Sequence, residues 1–257
     1  MMKRLAMALA MALAMMALAG PADAEPRPEH PAQCRVAAPL VETSFPLPRT
    51  AAAIAAGKLS VLVVGAGSSR LPIRDGAKVS YPARLQQALV EALPGVTVNV
   101  ATDVKAHRTA AAMVETLAKR LAAAKPALLV WQTGTVDAMQ GIDPDDFSET
   151  LERGIGLAQA AGADVVLING QYSPRTESMI ALGTYLEGMR WVALQHELPL
   201  FDRFGIMKLW ADLGTFNLTT ATNKLDMAEH VHDCIGRLLS DLVLEAVKLA
   251  EPQANGR

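Results

Sequence analysis

The fold class is indicated first by the stretch Ser60-Val61-Leu62-Val63-Val64-Gly65-Ala66-Gly67-Ser68-Ser69. Its first half is an apolar, largely β-branched run, which predicts a buried strand, and its second half consists of small residues, which predict a tight loop. A loop of this kind at the end of a strand is where α/β enzymes present a nucleophile or bind an anion. We therefore expect a candidate site at residues 65–69.

Short apolar runs and helical patterns alternate along the rest of the chain. The runs predict strands at residues 59–64, 96–100, 127–131, 164–169 and 198–201, and the patterns between and after them predict helices at 81–92, 106–124, 145–161, 177–196 and 227–249. This alternation predicts βαβ units and an all-parallel sheet covered on both faces. Right-handed crossovers place the loops after the strands on one rim, which we expect to contain residues 65–69, 101–107, 133–137 and 170–174.

The first residues predict export. Lys3 and Arg4 precede an apolar run from Leu5 to Leu18, and Ala22-Asp23-Ala24 supplies a small-x-small cleavage site. We interpret residues 1–24 as a signal peptide, with an uncleaved N-terminal anchor as the alternative, and expect a periplasmic or secreted protein. No later segment reaches 18 apolar residues without a charge, so the sequence predicts no stable membrane span after cleavage.

The remaining chain divides into an arm and one domain. Residues 25–50 carry six prolines without periodicity and predict a Pro-rich N-terminal arm, whereas residues 51–257 suit a single α/β domain. The chain has 24 basic and 26 acidic residues, a formal net charge of −2, which argues against a nucleic-acid partner.

Cys34 and Cys234 are the two cysteines of the chain. Export allows them to form a disulfide, which would attach the arm to the C-terminal helix. Two separate buried thiols are the alternative.

Several segments resemble, in order and spacing, the sequence blocks of the SGNH (GDSL-type) hydrolase family. Val63–Ser69 with Ser80–Leu85 resembles the first block, and Val98-Asn99-Val100-Ala101 resembles the second. Lys125–Thr135 resembles the third, and His232-Asp233-Cys234-Ile235-Gly236 resembles the helix after the last block. The resemblance covers roughly residues 59–245 and implies a three-layer α/β/α, flavodoxin-like fold with a five-stranded parallel sheet.

The resemblance also implies positions for the catalytic groups. In such a site an imidazole, oriented by a carboxylate, removes the proton of a serine, and an asparagine side chain helps two backbone amides to hold the oxyanion. The nucleophile falls at Gly67, the oxyanion glycine at Ala101 and the oxyanion asparagine at Val136; the aspartate and histidine fall at Asn223 and Asp226. Four of these five positions lack the group that their role needs. The resemblance therefore implies a divergent member with no catalytic residues.

Nearby residues offer an alternative catalytic set. Ser68 and Ser69 adjoin the nucleophile position, and Glu229, His230 and His232 provide acid and base groups at a spacing close to that of the family. An active carboxylic-ester hydrolase would use one of these serines with His230 or His232. The competing interpretation is that the serines bond the local backbone, while the other three residues form a solvated helical turn.

Metal and nucleotide sites are weakly indicated. Asp226 and His230 lie four residues apart, with His232 nearby, but the spacing supplies no third ligand. The loop at Gly65–Ser69 lacks both the G-x-G-x-x-G pattern and a P-loop lysine. We therefore expect no metal and no cofactor.

Together these observations predict an exported, catalytically inactive hydrolase-like protein that binds a small molecule, a glycan or another envelope protein. The alternative is the active esterase described above. A purely structural envelope partner, marked by a flat apolar patch in place of a pocket, is a third hypothesis.

Overall fold

The computed structural model describes residues 30–218 and 225–251. Its five strands form one all-parallel sheet in the order β2-β1-β3-β4-β5, the flavodoxin-like order. The strands are β1 (Lys58–Gly65), β2 (Thr97–Val104), β3 (Leu128–Gln132), β4 (Asp164–Ile168) and β5 (Leu200–Phe201). The predicted fold class is confirmed. The predicted signal peptide and Asn223 lie outside the described residues.

Helices connect the strands and cover both faces of the sheet. They are α1 (Pro48–Ala55), α2 (Gly76–Val79), α3 (Tyr81–Ala92), α4 (Ala110–Ala124), α5 (Thr135–Gln140), α6 (Pro144–Ala160), α7 (Pro174–Met179), α8 (Gly183–Gln195), α9 (Arg203–Asp212) and α10 (Leu225–Ala250). No helix in the described ranges is long and apolar enough to cross a membrane.

Alternate residues of the central strands face two different hydrophobic cores, one on each side of the sheet. Leu59, Val61 and Val63 of β1 face a core that also contains residues of α3, α9 and α10. Leu62 and Val64 face the opposite core, which contains residues of α4, α6 and α8. Because side chains alternate along a strand, β1 must be apolar on both faces, which explains its continuous apolar run.

Several predicted elements were wrong in their bounds: the helix predicted from residue 106 begins at Ala110, the strand predicted at 198–201 is only Leu200–Phe201, and α9 was not predicted. Strand β2 continues to Val104, so Ala101 lies inside the sheet, paired with Leu62, and not on the rim. The strand persists because its whole length pairs with β1. The helix predicted at 177–196 is two helices, α7 and α8, separated by residues 180–182.

The N-terminal arm is fastened to the domain. Cys34 and Cys234 form a disulfide, as predicted, which joins a short 3-10 turn at Ala32–Cys34 to α10. Helix α1 spans the expected boundary at residue 50, and Thr50 donates from its amide and its hydroxyl to the Asp164 carboxylate at 2.8 and 2.9 Å. These contacts hold the arm against the amino-terminal edge of the sheet.

Candidate functional site

The candidate site lies at the carboxyl rim, by which we mean the loops after the strands: residues 66–75, 105–109, 133–134, 169–173 and 202. A 3-10 turn, Gly67–Ser69, follows β1 directly. The Lys105 amide, just after β2, donates to the Gly65 carbonyl at 3.2 Å. Two neighbouring loops of the rim are thereby joined at the end of β1.

Gly67 is exposed at the start of this turn. A Cβ atom placed on it would lie 3.5 Å from the Ala106 Cα, an ordinary contact, so a side chain would fit there. Steric crowding therefore does not require a glycine at position 67. At this position the chain offers no nucleophilic atom.

The two serines that follow are held by Gln132 at the end of β3. The Ser69 hydroxyl donates to the Gln132 Oε1 at 2.8 Å, and the Ser68 hydroxyl and the Ala66 amide donate to the same atom at 3.3 and 3.2 Å. Since its own proton is used in this way, the buried Ser69 hydroxyl accepts from the Tyr81 hydroxyl, 3.0 Å away. Both serine hydroxyls thus form hydrogen bonds that stabilise the turn.

Gly65 is required by this arrangement. A Cβ at Gly65 would lie 2.3 Å from the Ser69 Oγ, closer than real contacts allow. The glycine at the end of β1 therefore lets the Ser69 hydroxyl turn inward to Gln132.

Arg203, at the start of α9, is a buried cation beneath the same turn. Its guanidinium donates to the Ser68 carbonyl at 3.2 Å, to the Ser68 hydroxyl at 3.4 Å and to the Gln171 Oε1 at 3.4 Å, and it lies 5.6 Å from the centre of the Tyr81 ring. No carboxylate of the described residues lies within 4.0 Å of it. Burial lowers the pKa of Arg203 to about 10.

His232 is buried in the core below this site. Its Nδ1 accepts a hydrogen bond from the Tyr81 amide at 2.9 Å, and its ring stacks on the Tyr81 ring at 6.0 Å. Burial, with the nearby Arg203 charge, lowers the pKa of His232 to about 3. The neutral ring therefore has its proton on Nε2 and its lone pair already used, so neither nitrogen is available as a base.

Among the described residues, the other candidates on α10 are not linked to the serines by hydrogen bonds. His230 and Asp226 are exposed and Glu229 is half-buried in the first turns of the helix. No hydrogen bond joins any of them to Ser68 or Ser69 within the described part of the chain. Over the same residues no group of three or more His, Cys, Asp or Glu side chains is arranged to hold a metal ion.

Helix α5, which follows the loop after β3, contains a buried carboxylate that the sequence patterns did not single out. Asp137 accepts from the Ala110 amide at 2.8 Å and from the Gly134 amide and Thr133 hydroxyl at 3.2 Å. Burial raises its pKa despite these bonds. The neighbouring Val136 is half-buried hydrocarbon in α5 and has no donor to offer an oxyanion. Asp137 therefore joins α4 to the β3–α5 turn.

Comparison with known proteins identifies the family of the chain. The model of the non-GDSL lipase-like family matches residues 33–249. The chain belongs to this family. No curated protein matches the sequence.

Several solved structures share the fold of this family member. TesA is 23% identical over 74% of this chain and 99% of its own, with a TM-score of 0.54. A putative lipolytic protein of the G-D-S-L family from Desulfitobacterium hafniense DCB-2 is 15% identical over 72% and 99%, with a TM-score of 0.55. The acetylxylan esterase Axe2 from Geobacillus stearothermophilus is 13% identical over 72% and 94%, with a TM-score of 0.58. The expected SGNH-type architecture is confirmed.

Sequence patterns missed three residues that organise the site, Arg203, Tyr81 and Asp137. Arg203 and Tyr81 act through partners distant in the chain: Ser68 and Arg203 are 135 residues apart, and Tyr81 and His232 are 151 apart. The one local signal was the strand end at Gln132, where a polar side chain finishes an otherwise apolar strand.

Proposed function

We propose that this non-GDSL lipase-like protein is exported and catalytically inactive, and that it binds a ligand at the carboxyl rim of an SGNH-type sheet. The main support for this proposal is the hydrogen bonding of His232. Its Nδ1 lone pair accepts a hydrogen bond from the Tyr81 amide. A serine hydrolase needs an imidazole with a free nitrogen beside its serine.

The residue types at the rim support the same conclusion. The position of the family nucleophile falls by resemblance at Gly67, which has no attacking group, and that of the oxyanion asparagine at Val136. Loss of one oxyanion donor alone typically raises the barrier by about 3–4 kcal/mol. Ser68 and Ser69, the nearest hydroxyls, already donate to Gln132.

The proposal of an exported location rests on residues 1–24 and gains support from the Cys34–Cys234 disulfide, because disulfides persist in oxidising compartments. Expression of the full chain in a bacterium, followed by fractionation and mass spectrometry, tests it. We expect periplasmic or secreted protein that begins at Glu25. Recovery of full-length protein in the cytoplasm would contradict export.

Hydrolysis of p-nitrophenyl acetate tests the catalytic part. We expect the wild-type protein and the Ser68→Ala and Ser69→Ala variants to give the same background rate. Turnover that one of these substitutions abolishes would establish instead an active esterase, with Ser68 or Ser69 as its nucleophile and His230 or His232 as candidate bases.

A further inference from the structure

A cavity of about 490 Å³ opens beside Gly67. It lies between the loop after β1, residues 70–74, and the end of β2, where Val104 and Ala106 line it. Its volume falls within the roughly 300–1,000 Å³ that is usual for small-molecule sites. The cavity is therefore large enough to hold a small-molecule ligand beside Gly67.

Two arginines give this cavity a positive charge. Arg70 and Arg74 both line it and are exposed, and neither forms an ion pair within 4.0 Å with any described residue. The nearby acidic groups are already engaged, since Asp75 pairs with Lys78 at 3.1 Å and Asp103 pairs with Arg108 at 3.0 Å. Of the described residues that line the cavity, none is acidic.

The rest of the lining is aliphatic. Leu71, Pro72, Ile73 and Val104 line it together with Gly67 and Ala106, and no described aromatic side chain lines it. Such a surface favours contact with a hydrocarbon part of a ligand, because burial of apolar area is its main contribution to the binding affinity. A guanidinium group forms two parallel hydrogen bonds with an oxyanion such as a carboxylate.

We propose that the cavity lined by Arg70 and Arg74 binds a carboxylate, with the apolar part of the ligand on Leu71, Ile73 and Val104. The proposal rests on the proposed function in placing the ligand at the carboxyl rim, and it adds the charge and the chemical group that the ligand carries. The carboxylate belongs either to an acyl chain or to a sugar acid. The aliphatic lining favours the acyl chain.

Ligand-observed NMR titration at low ionic strength tests this site with defined probes. Octanoate represents the acyl carboxylate, tri-galacturonate represents the sugar acid, and octanamide is the uncharged analogue of octanoate. The test variant is Arg70→Ala/Arg74→Ala. The control variant, Arg35→Ala/Lys58→Ala, removes two exposed cations away from the rim and so has the same net charge.

We expect octanoate to bind more tightly than octanamide. The test variant should bind octanoate at least about tenfold more weakly than wild type, because each arginine supplies a charge-assisted hydrogen bond. The control variant should bind as the wild type does. Tri-galacturonate bound more tightly than octanoate, with the same dependence on the arginines, would support the carboxylate site and assign it to a sugar acid.

Equal affinity of the test variant and the wild type for both carboxylates would overturn the proposal, as would binding of neither at millimolar concentration. These results are separable from those on catalysis. A protein that binds octanoate through the arginines and also turns over an ester would contradict the proposed inactivity alone. An inactive protein that binds neither carboxylate would contradict the carboxylate site alone.

Discussion

Arg203 donates hydrogen bonds to both the carbonyl and the hydroxyl oxygen of Ser68, at 3.2 and 3.4 Å. The start of α9 thereby holds the turn after β1, across 135 residues of sequence. A buried guanidinium is costly without a carboxylate, and here backbone, amide and hydroxyl oxygens take its place. The turn after β1 is therefore held in place by a segment that is distant in the sequence.

Substitution of Arg203 should destabilise the fold. We expect Arg203→Ala to lower the free energy of unfolding by about 2–4 kcal/mol, because it leaves a cavity and removes the donors for Ser68 and Gln171. Arg175→Ala, at an exposed position near the rim, should change it by less than about 0.5 kcal/mol. Urea unfolding of both variants measures the difference. Equal stabilities would show that the Arg203 bonds contribute nothing.

His232 should make stability depend on pH. The unfolded state takes up a proton at the usual pKa of 6.5, whereas the folded state resists it until about 3. The unfolded state therefore binds more protons in this window, and stability falls as pH falls from 6.5, by at most about 1.4 kcal/mol per pH unit.

The variant His232→Gln isolates this effect in urea unfolding at pH 7, 6, 5 and 4. The raised pKa values of Asp137 and Asp164 act in the opposite direction, because their folded state takes up protons first, but they are common to both proteins. We expect the wild type to lose more stability on acidification than the variant does. Parallel pH profiles would contradict the assigned neutral state of His232.

Reduction of the Cys34–Cys234 disulfide should lower the melting temperature by roughly 10 °C or more, because the bond closes a loop of 200 residues. In the chain-entropy model such a loop stabilises the fold by about 5 kcal/mol. The control is Cys34→Ser/Cys234→Ser, whose melting temperature should be low and insensitive to dithiothreitol. A wild-type protein whose thiols become titratable while its melting temperature stays unchanged would contradict a stabilising bond.

A serine placed at residue 67, where the sequence resemblance puts the nucleophile, should not produce catalysis. The variant Gly67→Ser should fold with stability within about 0.5–1 kcal/mol of wild type, since its Cβ would meet Ala106 at ordinary distances. We nevertheless expect background hydrolysis of p-nitrophenyl acetate, because His232 has no free nitrogen. Clear turnover by this variant would show that a base is within reach of the turn.

The fold could be predicted from the sequence because the patterns that indicate strands and helices are local. The apolar run of β1 and the alternation of strands with helices predict the sheet, and α3 lies where its pattern placed it, at Tyr81–Ala92. The end of β2 was misplaced because pairing with β1 extends it through the polar residues Thr102 and Asp103.

Less of the site could be predicted from the sequence, because its contacts join residues that are distant in the chain. The small residues at 65–69 located the turn, but nothing in the sequence indicated that Arg203 would lie beneath Ser68. Nor could a pattern show that the Tyr81 amide uses the Nδ1 of His232. These relationships arise from the packing of α3, α9 and α10 on one face of the sheet.

Labelling with a serine-reactive fluorophosphonate, read as intact protein mass, shows whether the protein contains an activated serine. A known serine esterase in the same reaction serves as the positive control, and the Ser68→Ala and Ser69→Ala variants identify the position of any adduct. We expect the mass of the wild-type protein to stay unchanged while the control esterase is fully labelled. An adduct on the wild-type protein that either substitution removes would show an activated serine and contradict the claim of an inactive rim.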